Sequence, residues 1–280
     1  SSTAEHVEAV ARAAIEAGSD YLDVQYSTAK LAKLRAMQGE IQRAGLCFIT
    51  DGGFHPGLPA ALVRYAAGQF DRLDSARVGS VIKIDWAGLD LSPATVQELT
   101  GELLDFQMAS YRDGRWQTQW TGYQRFDFGP PFGQQGCAAM MLEEMRSLPD
   151  VVPSLRETGF FVGGFNWFAD WVAMPLGMAA LKLAPQRGLR PASNLLEWSL
   201  RSWSRPPYGT VLQMEASGQR QGQPAALRLK LSHADGYVLT AVPVVACLLQ
   251  YLDGQIRQPG LQFQAHLVEP TRLLHDMERM

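Results

Sequence analysis

Apolar residues in the first part of the chain alternate between two spacings. Val7, Val10, Ala14 and Ala17 share one face of a helix predicted over Ala4–Ala17, with Ser2 or Thr3 as its cap and Gly18 at its left-handed close. A strand, Tyr21–Tyr26, follows at once. A second helix is predicted from about Thr28 to Gln42, with Ala29, Leu31, Leu34 and Ile41 among its apolar positions. Gly45–Thr50 is a continuous apolar run of the kind that forms a buried strand, and Asp51–Pro59 is a glycine- and proline-rich turn. The turn feeds the helical run Ala60–Ala67, closed by Gly68. This α-β-α-β alternation with short connections predicts a parallel sheet with crossover helices. Two strands do not make such a sheet, so the segment reads as the tail of a doubly wound domain.

Downstream the period changes. Ser80–Trp86 alternates as a strand, and Ser92-Pro93 supplies an N-cap and a first-turn proline for another helix. Trp116, Trp120, Tyr123, Phe126, Phe128 and Phe132 crowd a stretch with Gly129-Pro130-Pro131, which predicts strands and loops bordering a pocket or an interface. Thr210–Ser217 and Ala225–Ser232, joined by the polar 218–224, predict an antiparallel hairpin. Tyr237–Thr240 then leads into an apolar helix, Val244–Leu252. The predicted class is α/β (α+β): residues 1–68 form the remnant of a doubly wound parallel sheet, and residues 69–280 form a mixed-sheet domain.

Composition narrows the partners. With 46% apolar and 19% charged residues the chain is that of an ordinary globular protein. A net charge of −3 and a pI near 6.0 leave no basic surplus for nucleic acid or an anionic membrane. Cys47, Cys137 and Cys247 are odd in number and lack a C-x-x-C pair, which fits a reducing compartment and no zinc site. Without a signal sequence, a cytoplasmic location is expected. The apolar stretch Phe165–Leu183 is interrupted by Asp170 and Pro175, and reads as a buried or interface helix rather than a membrane span.

The chain contains no G-x-G-x-x-G after a strand, no G-x-x-x-x-G-K-[ST], no G-x-S-x-G and no H-E-x-x-H. Chemistry therefore concentrates at the turn after Thr50. In open α/β sheets ligands bind beyond the carboxyl ends of the strands, where free N–H groups and the positive helix end face the crevice. His55 in that turn can donate to a substrate carboxylate or act as acid or base near neutral pH. It can equally hydrogen-bond its own loop, and Asp51 can be a turn residue.

Glu16-Ala-Gly-Ser-Asp-Tyr-Leu-Asp23, then Ala44-Gly-Leu-Cys-Phe-Ile-Thr-Asp-Gly-Gly-Phe-His-Pro-Gly-Leu-Pro59, resembles the saccharopine dehydrogenase-like oxidoreductases, with their a-G-x-x-Y-x-D entry and later G-x-x-P-G turn. Asp235–Ala241, Leu252-Asp-Gly254, Pro259-Gly260 and Val268-Glu-Pro270 extend the similarity towards the end of the chain. The resemblance implies a Rossmann-type nucleotide domain followed by a catalytic and dimerisation domain, a homodimer, and NAD or NADP as cofactor with an amino-acid-derived small substrate. It places His55 as the catalytic residue. Tyr21, Asp23, Gly53, Phe54, Pro56 and Gly57 would form the substrate and nicotinamide pocket, with no metal. His55 stands where saccharopine reductases often carry an aspartate, which argues against saccharopine itself.

The glycine-rich fingerprint of that family is absent, so the chain is expected to be its C-terminal portion and to bind no dinucleotide tightly. The alternative is a non-catalytic binding or dimerisation module on the same fold, with Trp116–Phe132 and Phe165–Trp171 as partner surfaces.

Overall fold

The computed structural model describes residues 3–104, 106–118 and 123–280. Ser2 and Trp120, named above as a cap and as one of the crowded aromatics, lie outside the described residues. The first unit begins with helix α1 (Thr3–Glu16), whose Gly18 close takes φ +64°. Strand β1 is only Tyr21–Leu22. The predicted extension to Tyr26 fails because the buried Lys30 ammonium bonds the Gln25 carbonyl and Ser27 Oγ caps helix α2 (Thr28–Ala36), turning the chain away. The single predicted helix to Gln42 divides at Met37 into α2 and α3 (Gln38–Arg43). Strand β2 (Cys47–Thr50) is buried on both faces, as a central parallel strand must be.

Helix α4 (Pro59–Ala67) is alanine-rich and apolar all round. Pro59, Ala60, Ala61, Leu62, Val63 and Ala66 are all buried, because α4 is wedged between the two sheets. The boundary expected at residue 68 falls in the connection from α4 to strand β3 (Arg72–Lys83).

The chain then runs through helix α5 (Pro93–Gly101), whose Ser92 Oγ accepts the Thr95 N–H. Strands β4 (Ala109–Arg112), β5 (Arg115–Thr118), β6 (Tyr123–Asp127) and β7 (Gln134–Met140) follow, as the aromatic stretch predicted. Leu148-Pro149, which reads as a turn, starts a one-turn helix α6 (Leu148–Val151) before strand β8 (Glu157–Gly163). Residues 169–173 make a π-helical turn leading into α7 (Met174–Leu183), and α8 (Pro185–Trp203) packs on α7 and α5. Among the described residues no helix is long and apolar enough to cross a membrane.

Strands β9 (Gly209–Arg220) and β10 (Gln223–His233) are the predicted hairpin, paired along their full lengths. Together with β3, β8 and β4–β7 they make an eight-stranded mixed sheet in which β3 and β8 run parallel. Helix α9 begins at Gly236, capped by the Asp235 carboxylate, and carries Pro243 within it.

The chain then returns. Strand β11 (Gly260–Phe263) pairs parallel with β2, Gly260 opposite Cys47 and Phe263 opposite Thr50. The first sheet is therefore three-stranded, in the order β1-β2-β11, and its third strand comes from beyond the second sheet. Helices α10 (Gln264–Leu267) and α11 (Pro270–Glu278) pack on α4 and complete a core shared by both units. All three cysteines are buried thiols.

Candidate active site

All strands of the first sheet run parallel, so their carboxyl ends share one edge and deliver three segments there: Asp23–Tyr26, the Asp51–Leu58 turn, and Gln264. An ion set centred on the fully buried Lys30 ties the first two. The Lys30 ammonium lies 2.8 Å from Asp51 Oδ1 and also pairs with Asp23, whose Oδ2 accepts the Thr50 hydroxyl at 2.9 Å. Burial raises the Asp51 carboxyl and Lys30 opposes the rise. Asp51 itself is held at φ 55°, a left-handed conformation uncommon outside glycine.

The turn is wired into the protein from two distant points. Gln264 exchanges bonds with Gly53, its Nε2 donating to the Gly53 carbonyl at 3.3 Å and its Oε1 accepting the Gly53 N–H at 3.4 Å. Glu144, fully buried, accepts the Gly57 N–H at 2.7 Å and the Ala60 N–H at 3.2 Å. The first turn of α4 is thus capped by a carboxylate from elsewhere in the chain. This overturns the expectation that the turn's N–H groups and the positive helix end face an open crevice. Those donors are already used, and the pyrophosphate of a dinucleotide does not fit on them. Burial pushes Glu144 up to about 8, against the pull of the two N–H bonds and with Asp51 adding to the rise.

What the turn does present is His55. A cavity of about 410 Å³ lies between the first sheet's loop edge, the face of the second sheet and helices α5 and α7, and His55 is on its wall. The imidazole ring packs on Phe54 (centroids 4.0 Å apart) and Phe160 (5.4 Å), and its Nε2 has no hydrogen-bond partner. Burial lowers its pKa to about 4, so the ring is neutral at physiological pH rather than poised near 7.

The other residues singled out in the sequence stand behind this wall. Gly53, Phe54, Pro56 and Gly57 are buried in the turn and are not part of the lining. Asp23 belongs to the Lys30 ion set. Tyr21 packs on Phe48 at 5.1 Å, its hydroxyl pushed up by burial and by Asp23. Gln25 and Tyr26, next along from Asp23, do reach the cavity.

Two further features line the cavity: Asp170, to which the sequence reading gave no role, and the ring pair Tyr123–Trp171, whose first member lies in the aromatic stretch expected to border a pocket. Asp170, noted there only as a charge that spoils an apolar stretch, sits on the π-helical turn. Its Oδ2 accepts the Gly164 N–H at 3.2 Å, and burial pushes it up to about 7. A π-turn widens the helix at one point and is frequent at functional sites. Beside it Trp171 stacks on Tyr123, ring centroids 4.4 Å apart. Burial and the Asp170 charge raise the Tyr123 hydroxyl. The signal for Asp170 was present in the sequence as a lone acid in an apolar helix, a placement costly enough to need a reason.

The arrangement is a half-open, mainly apolar pocket with a few polar groups on its wall, a common form of small-molecule site. Among the described residues no group of three or more His, Cys, Asp or Glu is placed to hold a metal.

The architecture is α/β, a Rossmann-type parallel sheet joined to a second, mixed-sheet unit. Yeast (Saccharomyces cerevisiae) saccharopine dehydrogenase (L-Glu forming) has the same fold: it superposes with a TM-score of 0.60 over 97% of this chain and 79% of its own, at 13% identity. In sequence, the chain is similar to carboxynorspermidine synthase of Vibrio cholerae, 26% identical over 96% of this chain and 72% of the synthase. No family profile matches the chain.

Proposed function

We propose that the chain is the substrate-binding and catalytic portion of an NAD(P)-dependent oxidoreductase acting on an amino-acid-derived or related small substrate. The observation that carries this is the 410 Å³ cavity at the carboxyl edge of a parallel sheet, with the neutral His55 side chain on its wall. The similarity to carboxynorspermidine synthase and the fold shared with saccharopine dehydrogenase support it. NAD or NADP would supply the redox chemistry from a part of the complete protein outside this chain. Residues of this chain would shut out water, orient the substrate through His55, and hold or move a proton at Asp170.

Titration of NADPH and NADH followed by fluorescence tests the division of labour. This chain should bind neither tightly, and sub-micromolar affinity would sink it. Absence of NAD(P)H consumption by the complete protein across amine and oxo-acid substrates would remove the oxidoreductase reading.

A second reading, a binding or dimerisation module, draws on Trp167, Trp171 and Trp198, which are 58%, 53% and 51% exposed. Exposed indoles grouped on the 167–203 helices suit a partner surface, for which a homodimer is the proposal. Sedimentation velocity of this chain, compared with a Trp167→Ser/Trp198→Ser variant, tests the dimer: a monomeric parent chain would remove this surface as its interface.

A further inference from the structure

The charge on the cavity wall points to one chemical class. The described lining includes two carboxylates, Glu102 and Asp170, and no lysine or arginine. Residues 105 and 119–122, which are not described, contain no lysine or arginine in sequence. His55 adds no positive charge, since burial keeps its ring neutral. A substrate carboxylate drawn into this chamber would meet no fork of the kind arginine provides, and would sit beside two acids.

Asp170 makes no ion pair within the described residues, and Lys83 reaches it only as a more distant charge that burial outweighs. An acid held in an apolar wall without a cation calls for one from the ligand. Next to it Trp171 and Tyr123 present stacked aromatic faces. Indole faces are the best of the side chains at holding an ammonium, and more so when water is excluded. The rest of the wall, with Met108, Met140, Met174 and Met178, is flexible and apolar and suits a methylene stem.

We propose that this cavity takes the ammonium end of an alkylamine, held by Asp170 against the Trp171–Tyr123 ring pair, with the stem along the methionine wall. This rests on the reading of the cavity as the substrate site. It assigns that substrate an amine recognised without a carboxylate clamp from this chain.

Isothermal titration of this chain with 1,5-diaminopentane and with glutarate, which share a five-carbon length and carry opposite charges, tests it. The diamine should bind at least about tenfold more tightly than glutarate. Asp170→Asn should weaken the diamine by about tenfold, and Trp171→Leu, at a half-exposed position, by several-fold, with circular dichroism checking that each variant is folded. Glutarate binding as well as or better than the diamine, no heat from the diamine at ~10 mM, or unchanged diamine affinity in both variants would overturn the proposal. The measurement involves no cofactor and no turnover. Diamine binding together with a failure to consume NAD(P)H would therefore count against the oxidoreductase reading and leave the cation site in place.

Discussion

The carboxylate of Glu144 holds the Gly57 N–H at 2.7 Å across 87 residues of sequence, and with the Ala60 N–H it closes the amino end of α4. An acid from the short 3-10 turn Glu143–Met145 thereby fixes the turn on which His55 is carried. The cost of burying that acid is offset only while both donors stay in place.

Glu144→Ala strands two buried N–H groups and opens a void. It should lower unfolding free energy by about 3 kcal/mol, with Glu144→Gln, which keeps one acceptor, losing about 1 kcal/mol. Urea titration of both variants measures this, and an alanine variant within 0.5 kcal/mol of the parent, about the range of an inert surface change, would show that the cap is dispensable.

The same group gives stability a pH dependence. Glu144 rises from 4.5 to about 8 on folding and Asp170 from 3.8 to about 7, both mainly through burial. The folded state thus binds more protons than the unfolded one, and the stability this gives is complete below the ordinary values and is lost as pH rises through 7 and 8. His55, lowered from 6.5 to about 4 by burial, works the other way: its contribution is complete above 6.5 and is lost as pH falls towards 4. Between pH 6.5 and 8 stability should fall by about 1 kcal/mol per pH unit through Glu144, with Asp170 adding to the slope up to about pH 7 and little above it. Glu144→Gln and Asp170→Asn should each flatten part of the slope, and a rising profile over that window would contradict the assignment.

His55 separates function from packing. Its ring contacts Phe54 and Phe160 while Nε2 bonds nothing, so His55→Phe keeps the packing and removes an unsatisfied nitrogen. Thermal stability should hold or rise, and kcat/KM of the complete protein should drop by about a hundredfold. Unchanged kinetics would make His55 a loop residue.

Two glycines with positive φ should respond differently to alanine. At Gly57 (φ +119°) a Cβ would lie 2.4 Å from the Gly53 carbonyl oxygen, whereas at Gly45 (φ +69°) nothing lies within 4 Å. Gly57→Ala should cost more than about 3 kcal/mol, and Gly45→Ala about 1 kcal/mol for its left-handed backbone alone. Guanidinium unfolding of the pair checks the ranking.

The strand-turn-helix of residues 47–67 was legible because its signals are contiguous: an apolar run, a glycine-proline turn, then a proline-started helix. The 209–233 hairpin was legible for the same reason. What closes the turn was not, because Gln264 and Glu144 come from 211 and 87 residues away and look like ordinary polar residues in sequence. The third strand of the first sheet is only Gly260–Phe263, too short for a period to show, and β2 rather than local propensity sets it. Asp170 was visible as an anomaly, but the π-turn that gives it a role is a tertiary outcome.

The return of β11 to β2 has a mechanical consequence. The backbone passes between the sheets twice, through residues 68–71 going out and 253–259 coming back. Those two crossings, with the buried core that runs through both units, tie the carboxyl edge of the first sheet to the face of the second. His55 and Trp171, on walls contributed by different units, are therefore carried on one doubly tethered frame.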